Sequence, residues 1–310
     1  MFTEIALVSG GIDSVLVTAH VPHAQPLFID YGQREAFYER EAVNHLWPQA
    51  LTMDVPTIVP RGTYFPARNL LLATIAVSCA EADTVWMGGM ADDFCADKTP
   101  AAFEAMSEIL TQQAGRVIKV RSPFWCTTKA EAIGIYLIAG NDKERLLKTF
   151  SCYSPVAGSA CGDCPACFRK ACALIANDLP YTRISNRMFD EYFTKLHKYP
   201  AARQWTIIHA AKEHGISVVA CDIDGVLTEN TDGHNYEARV PNRNAIERLN
   251  AMDDEDTKIV LWSSRRECDR AVTEAWLKGN AVTYHALLLD KPPVSVLYDD
   301  AYADLHKALY

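Results

Sequence analysis

The sequence predicts an α/β protein built from two parallel-sheet domains. In the first half, short apolar runs alternate with helical patterns, and from residue 216 a second alternation of this kind runs to the C-terminus. Such βα alternation is typical of parallel strands whose connecting helices cover both faces of a sheet. The length of 310 residues is enough for two domains of ordinary size.

The composition is that of a folded protein without a membrane-spanning segment. Hydrophobic residues make up 49% of the chain and charged residues 22%, and no apolar run approaches the roughly 18 residues that a span requires. The N-terminal stretch lacks a basic region and leads directly into an apolar run, so we expect no signal peptide and a cytoplasmic location. A net charge of −9 argues against a broad surface for nucleic-acid phosphates.

The first half is predicted to place four polar stretches at the carboxyl ends of strands, where ligands bind in open parallel sheets. The predicted strands include 4–8, 26–30 and 84–89, and the predicted helices lie near 14–20, 34–46, 68–82 and 100–114. The four polar stretches are SGGIDS (9–14), DYGQR (30–34), FPARN (65–69) and GGMADD (88–93).

The first of these stretches has the composition of an anion site. Two adjacent glycines lie between two serines, at the point where the first strand becomes a helix. The first turn of a helix has free N–H groups and the positive end of the dipole, and glycine lets the backbone approach a phosphate. A tight turn that binds nothing is the alternative. No G-x4-G-K-[ST] motif occurs, so direct transfer of a γ-phosphoryl group is disfavoured.

Four cysteines form a C-x8-C-x2-C-x2-C pattern at Cys152, Cys161, Cys164 and Cys167. Thiolates bind zinc tetrahedrally, and a C-x2-C turn brings two of them to one ion. Because four thiolates fill the coordination shell, a structural zinc is favoured over a catalytic one. Free structural cysteines and a redox pair are the alternatives.

Together these stretches resemble a known family. SGGIDS is similar to the PP-loop of the N-type ATP pyrophosphatases, whose fold is that of the adenine nucleotide α-hydrolases. With DYGQR, FPARN and the CGDCPACFR stretch (161–169), the resemblance extends to the 7-cyano-7-deazaguanine synthases (QueC) over roughly residues 1–175. The resemblance implies a Rossmann-like parallel-sheet domain at 1–179 that contains the zinc-binding segment.

The resemblance also implies a reaction. ATP activates the carboxylate of 7-carboxy-7-deazaguanine as an acyl-adenylate and releases pyrophosphate, and ammonia or another amine displaces AMP. The final product is left open between the nitrile, the amide and a conjugate with another amine. A homodimer is a candidate assembly.

The same resemblance assigns site residues. Arg68 and Lys129 each have a plainer alternative, a surface or capping arginine and a solvated lysine in the first turn of a helix. The residues that would hold ATP with its Mg²⁺ are Ser9, Gly10, Gly11, Asp13 and Ser14, and those for the deazaguanine and the adenylate are Tyr31, Gln33, Arg68, Asn69 and Lys129.

The C-terminal part resembles the haloacid dehalogenase (HAD) phosphatases. An apolar strand ends in the DIDGVLT stretch (222–228), and three further motifs follow in order. The resemblance implies a small HAD-like Rossmannoid domain at 216–310, joined to the first domain by a helical connection at 180–215. A turn that only mimics the motif, and a folded but inactive domain, are the alternatives.

The HAD resemblance implies a nucleophile, Asp222, and an acid–base group, Asp224. Ser263 and Lys291 would contact the phosphoryl group, and Mg²⁺ would be held by Asp222, Asp224, Asp299 and Asp300. His234, Arg239 and Arg243 are candidate outer contacts or solvated residues. Little room remains for a cap domain between the first and second motifs, so the site is expected to be open. An open site suits a large substrate, such as a nucleic-acid end or a phosphorylated protein.

Two competing functions remain at this point. One is a PP-loop sulfurtransferase-like enzyme that modifies a nucleotide or tRNA, although the chain has no obvious basic extension for RNA. The other is a non-catalytic module that senses a nucleotide.

Overall fold

The computed structural model describes residues 4–55, 65–93, 95–229 and 235–291. The chain divides into two compact units, Met1–Ser185 and Asn186–Tyr310. The predicted site residues His234, Asp299 and Asp300 lie outside the described residues. Within the described ranges, no helix is both long enough and apolar enough to cross a membrane.

The first unit is an α/β domain with a Rossmann-like parallel sheet. Its described residues form five strands in the order β3-β2-β1-β4-β5, and each neighbouring pair is parallel. The strands are β1 (Glu4–Leu7), β2 (Gln25–Asp30), β3 (Leu51–Asp54), β4 (Thr84–Trp86) and β5 (Lys119–Arg121). The helices are α1 (Ile12–His20), α2 (Ala36–Leu46), α3 (Arg68–Cys79), α4 (Pro100–Ala114), α5 (Lys129–Ile138), α6 (Lys143–Leu147) and α7 (Pro165–Ile175).

Both faces of this sheet are covered. Ile5 and Ala6 are neighbours in β1, and both are fully buried. Ile5 packs in one apolar cluster with Phe103 of α4, whereas Ala6 packs in another with Val17 of α1. A strand with two buried faces reads as a continuous apolar run, as residues 4–8 do in the sequence.

The strand order determines where a ligand site can form. β1 lies between β2 and β4, so successive strands are added on one side of β1 and then on the other. In open α/β sheets the crevice at the carboxyl ends of the strands next to such a reversal binds ligands. The segments 8–11 and 87–90 leave β1 and β4 at this crevice.

The described residues of the second unit form a smaller parallel sheet, in the order β6-β7-β8. The strands are β6 (Ser217–Cys221), β7 (Thr257–Trp262) and β8 (Ala286–Leu288). The helices are α8 (Asn186–Phe193), α9 (Ala201–Glu213), α10 (Arg243–Asn250) and α11 (Arg270–Gly279), with 3₁₀ turns at Leu196–Lys198 and Glu267–Asp269. Much of the predicted helical connection at 180–215 therefore consists of α8 and α9, which group with this unit.

Candidate functional site

The loop between β1 and α1 is held tightly against its surroundings. Gly10 has a positive φ of 74°, and a Cβ at this position would lie 2.6 Å from the Cβ of Ala42. The backbone N–H of Ser9 donates to Ser14 Oγ at 3.1 Å, and the N–H of Phe150 donates to the Gly10 carbonyl at 2.9 Å. Only glycine fits at position 10, so the loop shape depends on this residue.

Asp13, in the first turn of α1, lies between two lysines. Its Oδ1 is 2.5 Å from Lys129 Nζ, and its Oδ2 is 3.8 Å from Lys98 Nζ. Burial alone would raise the pKa of the Asp13 carboxyl, but the charges of Lys129 and Lys98 outweigh it and hold that pKa well below its usual range. Gly88 makes room for this arrangement, because a Cβ there would lie 2.8 Å from the Asp13 Cβ.

Lys98 also contacts a second carboxylate, that of Asp93. Lys98 Nζ is 3.4 Å from Asp93 Oδ2, and Arg169 Nη1 donates to Asp93 Oδ1 at 3.1 Å. Burial lowers the pKa of Lys98, but Asp13 and Asp93 outweigh this and raise it. We call this series the ion-pair chain; in order it comprises Lys129, Asp13, Lys98, Asp93 and Arg169.

The ion-pair chain has three cations and two carboxylates beside a glycine-rich loop at the carboxyl ends of β1 and β4. This excess of positive charge suits a polyanion such as a triphosphate. Lys129 was predicted as a site residue, whereas Lys98, Asp93 and Arg169 were not. Arg169 directly follows the cysteine pattern, which is the only sequence signal for its position.

A second polar cluster follows β2. Gln33 Oε1 accepts from the backbone N–H of Tyr31 at 2.9 Å, and Gln33 Nε2 donates to Glu39 Oε2 at 2.8 Å. Tyr31 is buried, and burial raises the pKa of its hydroxyl, whereas the nearby charge of Arg68, at the start of α3, acts in the opposite direction. The structure thus brings together three of the predicted substrate residues. Asn69 is different, because its buried amide donates to the backbone carbonyl of Asp97 at 3.3 Å.

Glu39, in the first turn of α2, was missed by the sequence prediction. Burial raises the pKa of its carboxyl to about 7. Gln33 and Arg68 act in the opposite direction, and the charges of Glu35 and Asp30 add to the increase. A carboxyl group whose pKa is shifted into the neutral range inside a polar cluster is typical of a functional position.

The four predicted cysteine ligands lie together. The Sγ atoms of Cys152, Cys161, Cys164 and Cys167 are all within 4.8 Å of one another. Tetrahedral zinc with Zn–S bonds of about 2.3 Å places its sulfurs about 3.8 Å apart, and the Cys161–Cys167 separation is 4.0 Å. The cluster can therefore bind a zinc ion with small adjustments.

The backbone around these thiols is arranged for thiolates. N–H groups of Ser154 and Cys161 both approach Cys152 Sγ at 3.3 Å, and the N–H of Asp163 approaches Cys161 Sγ at the same distance. Gly162 has a φ of 68°, and a Cβ there would lie 2.2 Å from a backbone oxygen. Donors aimed at sulfur stabilise its negative charge, which a zinc ligand requires.

In the second unit, three predicted catalytic residues lie at the carboxyl ends of neighbouring strands. Asp222 follows β6 and forms an ion pair with Lys291. Ser263 follows β7 and is fully buried, and the backbone N–H of Lys291 donates to the Ser263 carbonyl at 3.0 Å. The structure therefore brings Asp222, Ser263 and Lys291 to one edge of the sheet.

Asp224 is held by a buried arginine that the sequence prediction missed. Arg265 Nε and Nη2 donate to the two carboxylate oxygens of Asp224, each at 2.8 Å, and the Arg265 side chain is fully buried. The Arg265 guanidinium also lies over the ring of Tyr236 at 4.3 Å. Arg239, predicted as an outer contact or a solvated residue, is buried, with its Nε 3.5 Å from Asp224.

Comparison with known proteins matches the first unit to one family. A family described as queuosine biosynthesis protein QueC matches residues 50–178. The chain is 30% identical to a 7-cyano-7-deazaguanine synthase of Leptospira interrogans over 202 residues, which cover 53% of this chain and 82% of the relative. It is 33% identical to one from an Anaeromyxobacter species, covering 53% and 87%, and 32% identical to one from Geobacter metallireducens, covering 59% and 94%.

Proposed function

The chain belongs to the 7-cyano-7-deazaguanine synthase (QueC) family, and from this membership we propose that its first unit adenylates the carboxylate of 7-carboxy-7-deazaguanine with ATP. The observation that best supports this is the ion-pair chain beside the Ser9–Ser14 loop, where three cations face two carboxylates. A carboxylate is a poor electrophile until one of its oxygens becomes part of a good leaving group, and AMP provides that.

The proposed reaction has two steps. A carboxylate oxygen of the substrate attacks the α-phosphorus of ATP, and the bond to the bridging oxygen breaks, leaving pyrophosphate with the electron pair. In the second step an amine attacks the acyl carbon and displaces AMP, which gives an amide. Conversion of a primary amide to the nitrile requires a second ATP, which adenylates the amide oxygen so that it leaves as part of AMP. The loop amides, Lys98 and Lys129 stabilise the negative charge that accumulates on pyrophosphate.

Asp13 has a further role in this proposal. Its low pKa keeps the carboxylate ionised at all physiological pH values, so it remains available as an oxygen ligand for Mg²⁺. Bound Mg²⁺ would supply additional positive charge against the phosphates. Its two lysine partners would then be free to contact the phosphate oxygens.

The test is a product analysis of the full chain with ATP, 7-carboxy-7-deazaguanine and ammonium. We expect AMP and pyrophosphate, and mass spectrometry of the base distinguishes the nitrile from the amide. If AMP forms without either product, a series of larger amines tests the conjugate. ADP as the nucleotide product would contradict the adenylation mechanism, and sulfur incorporation would favour the sulfurtransferase alternative.

We further propose that the four-cysteine cluster binds one structural zinc ion. Purified protein should contain about one zinc per chain by elemental analysis, and Cys164→Ala should lower the yield of folded protein because bound zinc contributes to folding. Cys126, an exposed cysteine outside the cluster, provides the control as Cys126→Ala. A zinc content near zero, with four thiols that titrate freely in the folded chain, would contradict this prediction.

A second candidate function concerns the second unit, and it is favoured by the grouping of Asp222, Ser263 and Lys291. We propose a Mg²⁺-dependent phosphohydrolase in which the Asp222 carboxylate attacks phosphorus and forms an aspartyl-phosphate. Lys291 would compensate the charge of the phosphoryl group, and the Asp222 carboxylate would hold the metal. Arg265 would fix the orientation of Asp224, since it engages both of its oxygens.

A further inference from the structure

The Glu39 carboxylate has one oxygen in use and one available. Oε2 accepts from Gln33 Nε2, and among the described residues Oε1 has no hydrogen-bond donor. Gln33 is itself fixed, because its Oε1 accepts from the Tyr31 backbone and its Nε2 also reaches the carbonyl of Ile29 at 3.4 Å. The carboxylate is therefore held in one orientation by a neighbour that cannot easily turn.

Glu39 lies close to the Ser9–Ser14 loop, which is the proposed ATP site. Its backbone oxygen lies 3.1 Å from where a Gly10 Cβ would be, so the first turn of α2 runs beside the Ser9–Ser14 loop. Phe65 packs against Tyr31 with ring centroids 5.9 Å apart, and Arg68 follows on α3. An aromatic pair, a cation and a carboxylate thus surround the region after β2.

We propose that Glu39 is the specificity residue for the base, and that its carboxylate accepts hydrogen bonds from the ring N–H and the exocyclic amino group of the deazaguanine. This inference rests on the proposed function, since it assigns a subsite to that substrate class. The guanine-type edge presents two adjacent donors, which match Oε1 and the second acceptor position of Oε2, beside the one that accepts from Gln33. The adenine edge presents a donor beside an acceptor, which does not match an ionised carboxylate.

The electrostatics of the cluster agree with this role. The raised pKa of Glu39 means that the empty site readily takes up a proton near neutral pH. Two N–H donors favour the ionised form, so binding of the base should release that proton. The charged groups that influence the Glu39 carboxylate are Arg68, Glu35 and Asp30, and in the part of the chain that the structure describes none of them donates a hydrogen bond to Oε1.

The experiment measures equilibrium binding to the full chain by calorimetry, independently of turnover. The probes are 7-carboxy-7-deazaguanine and an analogue without the 2-amino group. We expect Glu39→Gln to weaken binding of the first probe by about 10- to 100-fold, because an amide places a donor against a donor. We expect the wild type to prefer the first probe and the variant to lose that preference.

The control is Glu41→Gln, which removes an exposed carboxylate on the same helix, α2. It should leave both affinities within about twofold. Equal loss for both probes in Glu39→Gln, or a loss of ATP affinity in place of base affinity, would overturn the inference. If binding of the base depends on Glu39 but the chain releases no pyrophosphate, this inference stands and the adenylation proposal is contradicted.

Discussion

Replacing Asp13 with asparagine is expected to reduce pyrophosphate release by about 100- to 1,000-fold. The amide keeps the shape that packs against Gly88 but cannot ion-pair with Lys98 and Lys129. It is also a weak ligand for Mg²⁺ compared with a carboxylate. The measurement is a pyrophosphate-release assay with saturating ATP and 7-carboxy-7-deazaguanine.

The control for this variant is Asp83→Asn, which removes an exposed carboxylate before β4, at the opposite end of the strands. Thermal unfolding of both variants separates lost chemistry from lost structure. Pyrophosphate release at the wild-type rate by a folded Asp13→Asn chain would show that the ion-pair chain is not the nucleotide site.

The second large effect is expected in the other unit. Asp222→Asn should reduce hydrolysis of a phosphomonoester by at least about 1,000-fold, because an amide is a far poorer nucleophile than a carboxylate. The ion pair with Lys291 would be lost as well. The measurement is phosphate release from a generic aryl phosphate and from a phosphorylated oligonucleotide end, each with Mg²⁺.

Asp253→Asn is the matched control, since Asp253 is exposed before β7, away from the strand ends that present Asp222 and Ser263. Activity that persists in Asp222→Asn would show that the aspartyl-phosphate assignment is wrong. A wild-type chain without activity on either substrate, in a folded unit, would favour the inactive-domain alternative.

The sequence was sufficient to predict those strands and helices whose local residue pattern agrees with their packing in the fold. β1 and β2 contain apolar runs buried on both faces, and α4 is capped by Thr99, whose side chain accepts a hydrogen bond from the backbone N–H of Ala102. β5 was not predicted, because its three residues carry one buried valine between two exposed charged side chains. It is a strand because it pairs with β4, a contact that no local pattern reports.

The site was predictable in part for the same reason. Compact motifs are recognisable in the sequence: the four cysteines stand out by their spacing, and the loop glycines by their composition and the family resemblance. Lys98, Glu39 and Arg265 are single charged residues on or near helices, and their roles come from carboxylates or amides that are distant in sequence or on another element. A lone charged residue is ordinarily solvated, so only the three-dimensional arrangement distinguishes these three.

Arg169 lies in α7, two residues after Cys167 of the cysteine cluster, and it is also the last member of the ion-pair chain through its contact with Asp93. If zinc and ATP bind as proposed, Arg169 connects the two sites along the chain. Linkage then requires reciprocity: whatever factor zinc contributes to the affinity for ATP, ATP must contribute to the affinity for zinc. If zinc tightens the binding of ATP, a chain occupied by nucleotide therefore binds its metal more tightly by the same factor.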